Sequence, residues 1–400
     1  MQVQQVARGL LAFQLTGSYA AVGIVMMSWG IPQLLLSLVG GAVADRVNKR
    51  NVILIAQTGT GTIAFVTAIL IITGVITIPI LFAIGLVQGT LFAFNMPARQ
   101  ALLAELVPQS ELANAIALNN MAMNATRIVG PAVAGVVIAV WDVGAAYLLQ
   151  SLIYLAVLYF LYRLPPSTSH LRGAGSRGSV PQEIAVGLRY ILGSPTLRLL
   201  MLLAFVPTML GMPYMTLLPG FAVEELSRGP GSYGFMFTVT GIGAVVGSFI
   251  IAWMSAFPRK PLLQALTGVG WGAALLALGP GSLAFGYIGA LVALALVGLF
   301  STTFQTLNNT MLMAESRPEF YGRVMSVHML TFSLFPFMSG PMGAVADQIT
   351  AARTFTVLGA SILVFILVAS MLTPRYTLSA AEPADAGFPA ERPRPTGAVP

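Results

Sequence analysis

Gly41-Ala42-Val43-Ala44-Asp45-Arg46-Val47-Asn48-Lys49-Arg50 places four charged side chains within six residues, between an uncharged run from Gly9 to Ala44 and another from Asn51 to Ala98. Each run exceeds the roughly 20 apolar residues that cross a bilayer once. Each also breaks near its middle, at Thr16-Gly17-Ser18 and at Thr73-Gly74 with Pro79. The runs therefore read as two helices apiece, and the charged stretch as a short connection on one membrane face.

Composition excludes an aqueous fold. The chain has 400 residues, 56% hydrophobic and 8% charged, against about 25% charged in a soluble domain, and its mean hydropathy is +0.84. Without cysteine, disulfide and thiol chemistry are excluded. The net charge of +7 resides in loops and bears on topology rather than on nucleic acid. Met1 lacks a basic leader and no small-residue site ends the first run, so a cleaved signal peptide is not expected.

Residues 1–15 are apolar apart from Arg8 and its neighbouring amides. Fifteen residues rise about 22 Å, short of the roughly 30 Å hydrocarbon core, so the first helix reads as a truncated stub. Further spans are expected at 20–43, 51–73, 79–98, 112–140, 144–163, 197–221, 232–256, 261–281, 284–309, 322–346 and 353–373. If the Asp45 loop is cytoplasmic, sixteen of the twenty Lys and Arg share that side. Arg228 and Arg353 lie opposite, and Arg8 and Arg127 within spans. The positive-inside bias then puts both termini in the cytoplasm and requires an even number of spans.

Landmarks recur at an offset of 210. Lys49-Arg50 maps onto Arg259-Lys260, Ala104-Glu105 onto Ala314-Glu315, and Gly130-Pro131 onto Gly340-Pro341, although Asp45 falls on Ser255. Parallel repeats of this kind mark one large group of transporters. The expected organisation is a six-helix half at 1–163, a linker at 164–196, a second half at 197–373 and a disordered tail at 374–400. Within the linker, Ile184, Leu188, Ile191 and Leu192 share a helical face, as in a helix lying on the membrane surface.

The loop Gly41-x-x-x-Asp45-Arg46-x-x-Lys49-Arg50 resembles that between helices two and three of the major facilitator superfamily, with Asn48 at a usual Gly. Arg127 through Gly135, containing Gly130-Pro131, resembles the Gly-Pro motif of its exporter branches. Gln5 to Ser18, Pro32 to Arg46, Pro97 to Leu102, Gly187 to Tyr190 and Gly322 to Ser326 resemble the branch of the enterobactin exporter and related drug and macrolide efflux proteins. The resemblance implies an all-α, twelve-helix fold of two halves. It implies gating roles for Gly41, Asp45, Arg46, Lys49, Arg50, Gly130, Pro131 and Gly135. Helices five and eight should meet, with Gly243 and Gly247 facing the motif, and helices two and eleven through Ser37 and Gly41 against Gly340 and Ala344. Two departures touch proton coupling. The chain starts inside helix one, and Gly85 stands where proton antiporters carry Arg ahead of Gln88-Gly89.

Polar groups within spans are costly and usually face a cavity. Asn120, Asn124 and Arg127 form an i, i+4, i+7 stripe; Gln88, Asn95 and Arg99 form another, and Arg8, Gln33 and Gln305 add polar points. Met121, Met123, Phe92 and Phe94 would supply walls that repack around amphipathic ligands. No Asp or Glu falls mid-span, so His328 is the internal proton-coupling candidate. No metal-ligand spacing, nucleotide loop or nucleophile arrangement appears, so no enzyme, metal or cofactor is expected. The expectation is a monomeric secondary transporter of the bacterial inner membrane. It would export amphipathic drugs or siderophore-like molecules in exchange for protons, with the bilayer and a small-molecule substrate as partners. The alternatives are a small-metabolite uptake permease and a truncated, non-transporting membrane protein.

Overall fold

The structure, a computed structural model, describes residues 2–164, 180–254 and 257–373. Residues 165–179 of the expected linker and the tail from 374 lie outside the described residues. Six helices form the first half: α1 (Gln2–Thr16), α2 (Tyr19–Arg46), α3 (Lys49–Ile72), α4 (Ile78–Leu106), α5 (Leu112–Val140) and α6 (Val143–Arg163). The turns fall where the sequence breaks. Gly17 and Gly74 have φ of 63° and 71°, a conformation that costs glycine nothing. Ser18 caps α2 through Ala21 N–H, Asp142 caps α6 through Ala145 N–H, and Pro79 sits in the first turn of α4.

The linker helix α7 (Val180–Gly193) leads to α8 (Pro195–Gly211), α9 (Tyr214–Gly220) and a π-turn at Phe221–Glu225. Those last three make one broken crossing, interrupted at Pro213 and Pro219. Then come α10 (Gly231–Trp253), α11 (Lys260–Ala314), α12 (Tyr321–Ile349) and α13 (Ala351–Leu372). At 55 residues, α11 would be about 82 Å long if straight, more than two membrane thicknesses. It folds back at Gly286, where φ is 58° and ψ −141°. Among the described residues, ten helices are long and apolar enough to span. Counting the α11 hairpin twice and adding the short α1 gives the twelve expected.

The offset of 210 holds throughout. Shifted by it, α5 becomes 322–350 against the observed Tyr321–Ile349, and α6 becomes 353–373 against Ala351–Leu372. Shifted α1 becomes 212–226, the site of α9 with its π-turn. Large apolar side chains such as Phe249, Phe285, Ile288 and Leu372 point outward, which only a lipid surround makes favourable. Trp141 at one end and Trp253 at the other are exposed in the manner of interfacial anchors.

The chain turns at two ends. One carries Lys49, Arg163 and Arg259 and is called the basic end; the other carries Asp142, Glu225 and Asp347 and is called the acidic end. At the basic end α7 is tied to the second half. Tyr190 stacks on Phe320 at 4.1 Å and accepts a hydrogen bond from Arg317 N–H at 3.1 Å. Ile191 is buried with Leu197, Leu200 and Val324, whereas Leu188 and Leu192 are exposed. The expected surface face therefore divides, with Ile191 turned into the protein.

The α11 hairpin depends on the absence of a side chain at Gly289, where a methyl would collide with the Gly281 carbonyl oxygen. Gly289→Ala should cost about 1–3 kcal/mol through overpacking, read as a lower melting temperature in detergent.

Candidate functional site

The two halves meet along two helix pairs, α2 with α12 and α5 with α10. Both seams depend on small residues. A methyl at Gly23 would collide with the Ser339 carbonyl oxygen, and one at Gly234 would lie 2.5 Å from Gly135 Cα. Gly343 meets Tyr19, Gly340 meets Met27, Gly30 meets Pro336, and Gly231 meets Ala139. These approaches lie between the acidic end and the middle of the membrane. The expected pairing is thus corrected in register. Gly340 faces the acidic half of α2 rather than Ser37 and Gly41, and Gly243 and Gly247 pack on Ala295 and Leu299 of α11 rather than on α5. Of the Gly-Pro motif, Gly135 lies against Gly231 and Gly234, and the Pro131 carbonyl faces Gly234. Gly130 packs instead on Gln2 of α1.

At the acidic end, carboxylates from the second half clamp this seam. Asp347 accepts hydrogen bonds from Ser18 Oγ at 2.8 Å, Tyr19 N–H at 2.7 Å and Ala20 N–H at 3.1 Å, so it occupies the start of α2. Glu225 accepts from the Tyr19 hydroxyl at 3.2 Å and from the Ala351 and Ala352 N–H groups at 2.5 and 3.0 Å. Helix N-termini attract anions because their first N–H groups lack internal partners. Toward the basic end α5 is open: Ile116, Leu118, Met121 and Arg127 are exposed.

The described contacts of Lys49 and Arg50 in the charged loop are with their own half. Lys49 is buried and pairs with Glu105 at 2.6 Å. Arg50 donates to the Leu161 and Tyr162 carbonyls at 3.1 and 2.5 Å, satisfying the end of α6, and lies over the Tyr162 ring. Gly41, Asp45 and Arg46 are in the last turns of α2, and their side chains fall outside the described residues. In the second half Glu315 occupies the position of Glu105 but makes no ion pair with the exposed Arg259, among the described residues. It is half-buried, and desolvation pushes its carboxyl above the usual range.

The cavity candidates are dispersed. Arg8 and Gln88 are buried, Gln33, Asn95 and Gln305 are half-buried, and Arg127 is exposed. Asn120 and Asn124 have side chains outside the described residues. No hydrogen bond joins any two of these candidates among the described residues. Gln88 has no partner at either amide atom and lies between Gly85 and Gly89, which pack on Ser28 and Trp29 of α2. The Ser28 hydroxyl fills the space above Gly85, which accounts for the missing Arg of the antiporter pattern. His328 is buried edge-on against Phe332 at 5.5 Å, with neither ring nitrogen partnered.

Sequence reasoning passed over several polar groups. Gln150 donates to Gln4 at 3.1 Å between α6 and α1, and Gln264 donates to Asn308 at 2.7 Å between the arms of α11. Gln150 and Gln264 are each one amide in an apolar span, a signal present in the sequence but without spacing to draw attention to it, whereas Gln4 and Asn308 stand among other amides.

Twelve crossings in two offset halves, meeting across a glycine-lined seam that is clamped at one end, define a secondary transporter of the major facilitator fold rather than an enzyme. A family model described as transmembrane secretion effector matches residues 1–395, and the chain belongs to that family. It is 27% identical over 372 residues to the staphyloferrin A transporter of Staphylococcus aureus, covering 90% of each chain. It is also 27% identical over 317 residues to the enterobactin exporter EntS of Shigella flexneri, covering 78% of this chain and 72% of that one. Among solved structures, a point mutant of the nucleoside transporter NupG superposes with a TM-score of 0.73 at 14% identity, over 93% of this chain and 95% of that one. A bacterial homologue of ferroportin in an inward-facing state gives 0.68 at 14% identity, over 94% and 96%.

Removing the Asp347 clamp should favour the state open at the acidic end. A carboxylate at a helix N-terminus contributes about 1–2 kcal/mol, so Asp347→Ala should shift the equilibrium by about 5- to 30-fold. Because the chain has no cysteine, Val75→Cys with Phe285→Cys gives a clean spin-label pair across the acidic end; the long-distance population should grow in Asp347→Ala.

For Glu315 the raised folded-state pKa means that ionisation costs stability, so stability falls as pH rises through that pKa. Glu315→Gln should flatten the melting temperature between about pH 4 and pH 7, gaining most at the higher pH.

Proposed function

We propose that this transporter exports amphipathic, siderophore-like small molecules across the bacterial inner membrane by alternating access, driven by a proton gradient. The observation that carries this reading is the asymmetry of the seam. It is tight and clamped at the acidic end, while α5 is uncovered toward the basic end. The distribution of Lys and Arg supports a cytoplasmic basic end with both termini on that side. A resting state open there loads its cargo from the cytoplasm. Kinship with the staphyloferrin A transporter and the enterobactin exporter supports the substrate class.

In this cycle the halves rock about the midplane seam. Gly41, Asp45, Arg46, Lys49 and Arg50 govern closure at the basic end, and Gly130, Pro131 and Gly135 let α5 flex against α10. Gln33, Gln88, Asn95, Asn120, Asn124, Arg127 and Gln305 are the residues assigned to the path on the loading side. His328, buried and unpartnered, is the group assigned to carry the proton.

Inverted vesicles energised by respiration, with labelled enterobactin and staphyloferrin A as probes, test direction and coupling together. Accumulation of either probe, collapsing with a protonophore and lost in His328→Ala, is expected. Accumulation only in right-side-out vesicles, or indifference to the protonophore, would overturn the reading.

A further inference from the structure

The least compensated polar cluster in the first half lies between α1 and α6. Gln4 and Arg8 stand one turn apart on α1, and Tyr147 and Gln150 one turn apart on α6. All four are buried, with relative exposures of 5%, 5%, 0% and 3%. Arg8 is eight residues from the end of α1 at Thr16, hence about 12 Å inside a core about 30 Å thick. No described carboxylate reaches it. The acidic side chains of the described residues stand at the membrane ends, and the neighbour felt by its guanidinium is the Tyr147 hydroxyl, set beside it without a complete hydrogen bond.

The unfilled atoms specify what is missing. Arg8 Nε and Gln4 Nε2 are donors without acceptors, the Tyr147 hydroxyl, which can accept from Arg8 and still donate, has its own proton unclaimed, and Gln150 Oε1 is the one lone acceptor. A cationic site with surplus donors lacks an anion rich in acceptor oxygens. The cluster is no requirement of the repeat. Its counterparts at the offset of 210 are Tyr214, Leu218, Val357 and Ala360, with neither charge nor amide. Its helix also lies on the moving seam, because a methyl at Gly9 would touch the Tyr233 hydroxyl and Pro219 of the other half at 3.0 and 3.3 Å.

We infer that Gln4, Arg8, Tyr147 and Gln150 form an anchoring subsite for an oxyanion, a carboxylate or comparable acidic oxygen group, of the transported molecule. This deepens the transport reading and rests on it, but it makes a separate demand, since an anion must be preferred even at equilibrium. A buried charge without a carboxylate is a site held at some cost to stability, offset when an acidic group of the cargo binds.

Three probes of one shape test this on the purified full-length protein in detergent: naphthalene-2-carboxylate, its carboxamide and 2-naphthylmethylammonium, with chloride at matched ionic strength as control. Affinities come from saturation-transfer NMR and from shifts in melting temperature. The carboxylate should bind about tenfold or more tighter than the amide, the magnitude of a charge-assisted hydrogen bond, and the ammonium most weakly. In Arg8→Gln the preference should fall to about one. Its melting temperature without probe should equal or exceed that of the unmodified protein, because an uncompensated buried charge is gone. Tyr147→Phe, which preserves shape if Arg8→Gln fails to fold, should weaken carboxylate binding by about fivefold and leave the amide unchanged. Equal binding of all three probes, a carboxylate preference that survives Arg8→Gln, or one undiminished in Tyr147→Phe overturns the inference; so does chloride abolishing the preference, which would mark an inorganic-ion site. Siderophore transport that persists in Arg8→Gln with the preference intact sinks the subsite alone. An Arg8-dependent preference without vesicle transport supports the subsite and sinks the transport reading alone.

Discussion

Water is absent from the hydrocarbon core, and this governs where the chain can hold and release itself. Two greasy surfaces in lipid gain nothing from the hydrophobic effect by meeting, since the tails they displace are equally apolar. Close packing is what remains, hence the glycines at 23, 135, 234 and 343, where backbone touches backbone. At the rim, where water and charge return, helix N-termini can take carboxylates. Asp347 uses that position to hold the start of α2, while Glu225, seated on the start of α13 in its own half, reaches across to the Tyr19 hydroxyl. Strong joints would freeze the molecule. Contacts worth about 1–3 kcal/mol apiece give a closed end that can still open.

The internal repeat separates packing from chemistry. Positions that recur at the offset of 210 are those that shape the chain, Gly130-Pro131 and Gly340-Pro341 among them. The basic pair at 49–50 and Glu105 also recur, as does an amide at 95 and 305, but several buried polar groups do not. Arg8 and Gln150 face Leu218 and Ala360 at the equivalent places, while Gln264 and Asn308 in the second half correspond to Leu54 and Ala98 in the first. Each half buries an amide pair, but on different helices. Symmetry supplies the rocking scaffold, and its violation supplies two unlike interior surfaces.

The crossings were legible because an apolar run, a Gly or Pro break and a cluster of charge are all local signals. The span expected at 112–140 is α5 to the residue. Facing was harder. Helix α10 carries glycines on two sides, Gly231, Gly234 and Gly241 toward α5 and Gly243 and Gly247 toward α11, and spacing cannot say which side meets which neighbour. The clamp was hidden for another reason. Asp347 binds mainly backbone N–H groups of Tyr19 and Ala20, more than 320 positions away, and a backbone donor leaves no mark in a sequence. Arg127 drew attention as a charge within a span, yet it is exposed; Arg8 proved the charge that is enclosed.

That enclosure bears on how transport can be balanced. Moving a two-state equilibrium from 1:99 to 99:1 takes about 5.5 kcal/mol of differential binding. Asp347 at the start of α2, at about 1–2 kcal/mol, and the hydrogen bond from the Tyr19 hydroxyl to Glu225, at about 1.5–3 kcal/mol, hold the acidic end shut by less than that, so no single event need overwhelm them. An oxyanion settling against Arg8 would pair a charge that otherwise lies unpaired, beside the face where Gly9 meets Tyr233 and Pro219. Cargo recognition and the seam are thereby joined on one short helix. The group that identifies the molecule sits one residue from the contact that must part for it to leave.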